Sequence, residues 1–425
     1  MLPSSDPLAV LGGDVFVPTD RGERVPYANF DVAASAPCLA AAADAVNNLL
    51  PYYASVHRGA GALSQRCTLA YEHARQVVAD FLGCRPEHAV VFTRNTTDAT
   101  NLLAHALPAG TRVVVFAGEH HANLLPWPSV TRLPLPRTAA EAVGAVGAAL
   151  RGLGPGPLLV AVTGASNVTG ELWPVTEIAA VAHAHSARVL LDAAQLAVHH
   201  PVDISGLGVD YIVLSGHKLY APFGTGVLAG RSDWLDAAPP YLLGGGATGH
   251  VGDAAGEVRW NHGPARHEAG TPNLLGVVAL GAVCKALGGA DRDALARTEH
   301  SLVARLRDGL ATIPGVHQLS LFGPDHPRVG IVSFAVEGRD SSSVAADLST
   351  GYGIGVRDGL FCAHPLTRHL LGQAPARLPG TAVRASLGLG TSAADVDRLV
   401  TALAEIVRRR ESSSAAASAC ASVAA

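Results

Sequence analysis

VLLDAAQLAVHHPVDISGLGVDYIVLSGHK, residues 189–218, decides how this chain folds. One apolar run, Arg188–Leu191, ends at Asp192; a second, Tyr211–Ser215, ends at His217 and Lys218. Short, continuous apolar runs are the pattern of strands buried on both faces, the condition of a parallel sheet with helices over it. In an open sheet of that kind, side chains just past the strand carboxyl ends line the ligand crevice. Asp192 and Lys218 are therefore expected to face one small molecule, an acid and an amine offered together.

Outward from this stretch the alternation of strand and helix continues. Ala89–Thr93 reads as a strand running into RNTTDATN (94–101) and an apolar helix. Hydroxyls at such a junction suit a phosphate, because free N–H groups and the helix dipole add to the side-chain donors. Thr96 and Thr97 are the candidates, although a threonine pair at this place is in isolation more often a helix cap. Thr111–Phe116 is another strand, followed by GEHHANLLPW (118–127). An imidazole there can stack on a planar cofactor or act as a base, whereas a lone loop histidine is more often merely solvated. Pro157–Thr163 is a strand leading into GASNVTGE (164–171), and Thr176–Ser186 is a helix that returns the chain to residue 189.

Before the first strand, a helix is expected to begin near Pro37. The connection VHRGAG (56–61) then precedes a long amphipathic segment ending near Gly83. Beyond Lys218, residues 220–230 read as a glycine-bearing hairpin or strand. The glycine-rich stretch 244–252 suits a lid, a subunit contact or a plain loop. Helices are expected over 274–287 and 292–313. Strand and helix patterns then alternate through 329–336, 341–348, 353–357, 381–386 and 393–410, an α/β lobe of its own.

With 425 residues the chain exceeds one compact domain. The expected division is an N-terminal arm (1–30) and a large domain (31–290), then a smaller C-terminal domain (291–410) against which the N-terminal segment packs, and a disordered low-complexity tail (411–425). Hydrophobic residues at 48% and charged residues at 16% are globular proportions. A net charge of -4 with no concentrated basic face argues against a nucleic-acid partner. The N-terminus has no basic region followed by an apolar stretch, and no uncharged run is long enough to span a bilayer, so a cytoplasmic protein without a membrane partner is expected. The six cysteines form no CxxC pair, which suggests neither a zinc site, nor any other metal, nor a disulfide framework.

A strand-end lysine, a carboxylate from the neighbouring strand and a hydroxyl loop are together the minimum equipment for pyridoxal 5'-phosphate (PLP). The amine forms the Schiff base, the acid keeps the ring nitrogen protonated and the hydroxyls hold the phosphate. A lysine merely capping a strand end would not account for Ser215, His217, Asp192 and Gln195 beside it. From about Asp31 to about Arg408 the chain resembles the class V aminotransferases of the fold-type I PLP enzymes, and within them the SUF-type cysteine desulfurases and selenocysteine lyases. The resemblance rests on DVAASA (31–36), VHRGAG (56–61), RNTTDATNL (94–102), EHHANLLPW (119–127), SNVTGE (166–171), LDAAQ (191–195), SGHKLYAPFGTGVL (215–228), EAGTPN (268–273), GIGVRDGLFCAHPL (353–366) and VRAS (383–386) in order.

That resemblance implies a three-layer αβα large domain with a mostly parallel sheet and a smaller α/β domain. It implies PLP on Lys218, Asp192 at the ring nitrogen, Gln195 at the phenolic oxygen and His120 stacked on the ring. Thr96, Thr97, Ser215 and His217 would hold the phosphate, with Thr271 reaching over from a second subunit, hence a homodimer. Asn167 and Arg384 match the residues that bind a substrate carboxylate, with Arg357, His57 and Ala34 close by; a bidentate guanidinium suits that group. Cys362 matches the desulfurase nucleophile, which attacks the sulfur of bound L-cysteine, leaves alanine and carries a persulfide to a sulfur-acceptor protein or a pathway. Leu360 and Phe361 stand where the family has imidazoles, and Gly388–Thr391 replaces its Tyr-Asn-Thr. His364 is the imidazole nearest the thiol in sequence. The alternative on the same scaffold is a lyase, epimerase or aminotransferase that needs no thiol; a silent binding homologue would not need the lysine.

Overall fold

The computed structural model describes residues 6–254, 256–374 and 378–423, with side chains as far as Arg409. Contacts divide the chain into two compact units, one built from 1–11, 35–166 and 172–293, the other from 12–34, 167–171 and 294–425.

The first unit is organised on a sheet of seven strands: His88–Thr93 (β1), Arg112–Phe116 (β2), Val130–Leu133 (β3), Leu158–Thr163 (β4), Arg188–Asp192 (β5), Tyr211–Ser215 (β6) and Gly226–Arg231 (β7). Their order across the sheet is β3-β2-β4-β5-β6-β7-β1. Neighbours from β3 to β6 pair in parallel, and β7 is antiparallel to both β6 and β1. Both faces are buried. Val113, Val115, Leu159, Leu190 and Val213 pack with Leu102, Leu103 and Trp127 on one side, while Val114, Phe116, Val160, Leu191 and Ile212 are equally buried on the other. That is why these strands read as continuous apolar runs rather than alternating ones. Helices Thr96–Ala106, Ala139–Gly152 and Val175–Ala184 pack on the sheet, and Ala62–Phe81 packs on Leu274–Gly288. The α/β class with a mostly parallel sheet is as expected.

The second unit holds an antiparallel sheet of Val316–Gln318 (β8), Ile331–Val336 (β9), Arg357–Gly359 (β10) and Ala382–Ser386 (β11), in the order β8-β9-β11-β10. Ala28–Asn29 pairs in parallel with Ile354–Gly355. Phe30, wholly buried, joins Val332, Phe334, Val383, Leu399 and Leu403 in one apolar cluster. The peptide 167–171 is bound into this unit by Glu171, whose carboxylate accepts from Ser320 Oγ and from the backbone N–H groups of Leu321 and Phe322.

Several elements differ from expectation. The first helix starts at Ala40, three residues past Pro37. The strand expected over 353–357 is two short ones broken at Val356. The glycine-rich stretch contains a hairpin, Thr248–Val251 with Val258–Trp260. Helix His364–Gly372 stands where no element was expected. The last helix runs from Ala393 to Val423; side chains from 410 onward, and with them the tail expected to be disordered, lie outside the described residues.

Candidate active site

In the first unit the carboxyl ends of β5 and β6 deliver what their sequence promised. Asp192 is buried and its Oδ1 accepts from the Ala194 N–H at 2.9 Å. Burial raises its pKa, and the Lys218 ammonium pulls it back down, so the two side chains lie within electrostatic reach. His217 is held below the ordinary imidazole range by burial and by the same ammonium. The turn between strand and lysine needs Gly216, where a Cβ would stand 2.8 Å from the Thr225 carbonyl oxygen. Gln195 is buried three residues past Asp192.

The phosphate candidates stand at the start of helix Thr96–Ala106. Its cap is Asn95, whose side chain accepts from Asp98 N at 3.0 Å, so the threonines are not the cap. Thr96 is buried against Ser215: its N–H donates to Ser215 Oγ at 2.8 Å and the hydroxyls lie 2.7 Å apart. Thr97, next along, is exposed. A helix N-terminus with three hydroxyls is an anion site by dipole and donors alike. A buried acid beside an amine, with that anion site, is a donor set that fits PLP.

His120 caps the short helix His121–Leu124, its Nδ1 accepting from Ala122 N at 3.1 Å. The residue before it, Glu119, was passed over in the sequence and is wholly buried. Its carboxylate accepts from Thr163 N at 3.1 Å and Asn123 Nδ2 at 2.9 Å. Thr163 is the register partner of Asp192 on β5, so Glu119 ties the His120 turn to the strand beside Asp192. Burial pushes the Glu119 pKa up to about 8, against the pull of those two donors, with a smaller upward push from Asp192. The EHH string was its only trace in the sequence.

His57 and Thr271 line two other cavities of the first unit. His57, at φ 68°, hydrogen-bonds Glu72 at 2.7 Å and lines a cleft of about 740 Å³ with Arg58, Arg75, Asn261 and Glu268. Thr271 is exposed and lines a smaller cavity of about 210 Å³ with Thr93, Asp98 and Tyr241. Between them lies a buried network also unread in the sequence: Glu268 accepts from Arg75 at 2.8 Å, Tyr71 at 2.9 Å and Phe92 N at 2.7 Å.

In the second unit Arg384, on β11, is the centre. It is 4% exposed; its Nη1 donates to the Asn167 carbonyl at 3.0 Å and its Nη2 reaches Asp31 at 3.4 Å. Its Nε is buried without a hydrogen-bond partner among the described residues. Burial lowers its pKa to about 10, opposed by Asp31, which leaves it cationic at neutral pH. An arginine so held keeps one buried N–H without a partner and a full positive charge, the group that suits a carboxylate. Arg357, its register partner on β10, is exposed and 3.8 Å from Asp31, and Ala34 N closes a turn on the Asp31 carbonyl at 3.0 Å.

Cys362 is exposed in a turn closed by Ala363 N donating to Leu360 O at 3.0 Å. Both central residues have positive φ, Phe361 53° and Cys362 52°, in the region that costs non-glycine residues about 1–2 kcal/mol each. Asn167 Nδ2 donates to Phe361 O at 2.7 Å, and the Arg384 guanidinium lies 5.3 Å from the centre of the Phe361 ring. The Cys362 sulfur is close enough to perturb Arg384 electrostatically.

A cysteine desulfurase of Klebsiella pneumoniae (strain 342) is 37% identical over 396 residues, 90% of this chain and 93% of its own. One of Enterobacter sp. (strain 638) is 37% identical over 95% of this chain and 98% of its own. Among solved structures, the cysteine desulfurase CsdA (S-sulfonic acid) of Escherichia coli superposes with a TM-score of 0.77 at 32% identity, covering 90% of this chain and 95% of that one. The apo cysteine desulfurase of Thermococcus onnurineus NA1 gives 0.79 at 32% identity over the same shares. The aminotransferase class-V family profile spans residues 28–399 and so takes in Asp192, Lys218, Cys362 and Arg384 alike; the chain belongs to the aminotransferase class-V family.

Proposed function

We propose that this chain is a PLP-dependent cysteine desulfurase that turns L-cysteine into L-alanine and carries the sulfur on Cys362. The observation that carries the reading is the exposed Cys362 thiol beside a buried arginine with one N–H unpartnered among the described residues, in a family whose members use PLP. When bound, the cofactor supplies an electron sink for charge developing at the substrate α-carbon. Lys218 would hold it covalently, Asp192 keep its ring nitrogen protonated, Gln195 face its phenolic oxygen and His120 cover its ring. Thr96, Thr97, Ser215 and His217 would hold its phosphate. Arg384, with Asn167, binds the substrate carboxylate, and Arg357 and Ala34 shape its surroundings.

The Lys218 amine would take and return the proton at the substrate α-carbon. Cys362 loses its proton and attacks the substrate sulfur; the new S–S bond forms as the substrate C–S bond breaks. The electron pair of the broken bond stays with the substrate carbon, which takes up a proton and leaves as alanine. The persulfide is then removed by a reducing thiol or passed to an acceptor protein. The working form in this reading is a homodimer in the cytoplasm, with Thr271 completing the partner's phosphate site.

L-cysteine under reductant should yield equimolar alanine and sulfide. Cys362→Ala should keep the cofactor absorbance and lose desulfuration, and full activity in that variant overturns the reading. The second reading, a thiol-independent lyase, is favoured by Leu360 and Phe361 in place of imidazoles. It expects that full activity.

A further inference from the structure

The turn that carries Cys362 is held by the same two residues that the proposed function gives to the substrate carboxylate. Asn167 donates its side-chain N–H to Phe361 O at 2.7 Å, and Arg384 sits over the Phe361 ring. Phe361 is itself nearly buried, while Cys362 is exposed. Two consecutive non-glycine residues at positive φ persist only where their surroundings over-determine them. Among the described residues the turn is restrained by Ala363 N and Thr367 Oγ1 on Leu360 O, by the Asn167 amide on Phe361 O, and by the ring under the guanidinium. The Asn167 backbone is held on both sides, its carbonyl by Arg384 and the peptide behind it by Glu171, which leaves its side-chain amide to turn.

We propose that Asn167 is a positioning residue that holds the Cys362 turn, and that a substrate carboxylate bound on Arg384 competes for its amide and loosens the turn. The proposal rests on the desulfurase reading for the identity of the substrate. The carboxylate binds the Arg384 guanidinium, stands beside the residue whose carbonyl that same arginine already grips, and offers a charged acceptor against the neutral Phe361 carbonyl. A charge-assisted hydrogen bond is about twice as strong as a neutral one, so the amide transfers. The carboxylate also neutralises the guanidinium that attracts the Phe361 ring. With both restraints weakened, the positive-φ pair relaxes and the thiol is freed. Cys362 is thereby held in one conformation until an amino acid is present. Phe361, where the family has an imidazole, supplies the ring on which this grip depends.

The test is the rate at which iodoacetamide alkylates Cys362 in the holoenzyme, read by peptide mass spectrometry. L-alanine, which offers the carboxylate and amine but no sulfur, is added until the cofactor absorbance stops changing. Loosening predicts faster alkylation with L-alanine, by roughly fivefold, the factor that one net hydrogen bond contributes. Simple occupation of a pocket beside the thiol would slow it instead. Asn167→Ala should alkylate at the raised rate with and without L-alanine. An unchanged or slowed wild-type rate overturns the proposal, and so does an Asn167→Ala enzyme that still responds; the wild-type comparison stands even if the variant does not fold. An enzyme that makes alanine from L-cysteine without this response loses the gating and keeps the desulfurase reading. One that responds but makes no alanine keeps the gating and loses the reaction.

Discussion

Glu119 is a carboxyl group folded into a place where it is more stable as an acid. Its pKa stands at about 8, so over roughly pH 5 to 8 the folded chain holds a proton that the unfolded chain has released. Linkage fixes the sign: where the native state binds more protons, stability falls as pH rises, here by up to about 1.4 kcal/mol per pH unit for one group. Asp192 is shifted in the same direction, so its linkage has the same sign. Glu119→Gln should therefore flatten the dependence of urea midpoint on pH across that window without abolishing it. The amide fits, because it keeps an acceptor for Thr163 N, and the buried Asn123 Oδ1, unpartnered among the described residues, can accept from its NH₂ once the Asn123 amide turns over. A variant as steep as the parent would show that Glu119 is ionised throughout. That Asp192 and Lys218 meet is readable from residues 189–218, since strand ends point that way by topology. Glu119 is not readable, because what defines it is a backbone N–H from a strand 44 residues away.

Among the elements, the peptide 167–171 carries the most consequence for its length. Gly170 has φ 73°, and a Cβ there would meet the Ile331 carbonyl oxygen at 2.6 Å. Gly170→Ala should cost at least about 2 kcal/mol, combining left-handed strain with a clash against backbone that cannot give way. It should also raise KM more than it lowers kcat, because it displaces Asn167; a variant with parental KM and stability would show that the peptide tolerates the shift. The buried strands β1, β2, β4, β5 and β6 were legible because burial on both faces leaves an unbroken apolar run. Strand β3 was not, being an edge strand with exposed Val130 and only Leu133 buried. The hairpin at 248–260 was hidden by its glycines, and helix His364–Gly372 by the Pro365 that reads as loop but occupies the first turn, where proline is tolerated.

At the scale of the molecule, the two cores can be followed separately. All four tryptophans, Trp127, Trp173, Trp234 and Trp260, belong to the first unit, so indole fluorescence reports that unit and circular dichroism reports both. Phe30→Ala removes a wholly buried ring from the second core and should cost it about 3–5 kcal/mol. In urea the dichroism transition should broaden toward lower denaturant while the fluorescence midpoint stays in place. Equal shifts of both signals would mean that the units unfold as one. The family fold was legible from ordered motifs across the chain. The share of residues 167–171 in the second core was not, because that segment has no apolar period that names its partner.

That sharing sets a rule for recombination. A chimera that grafts a relative's C-terminal portion at residue 294 brings β8 to β11 but leaves behind two segments that complete their core. The mismatch would fall on Phe30, on the Glu171 carboxylate among the N–H groups of Leu321 and Phe322, and on Asn167 against the cysteine turn. Such hybrids would inherit a thiol loop from one parent and its tether from the other, and the heritable unit of this half of the enzyme is three separate pieces of gene.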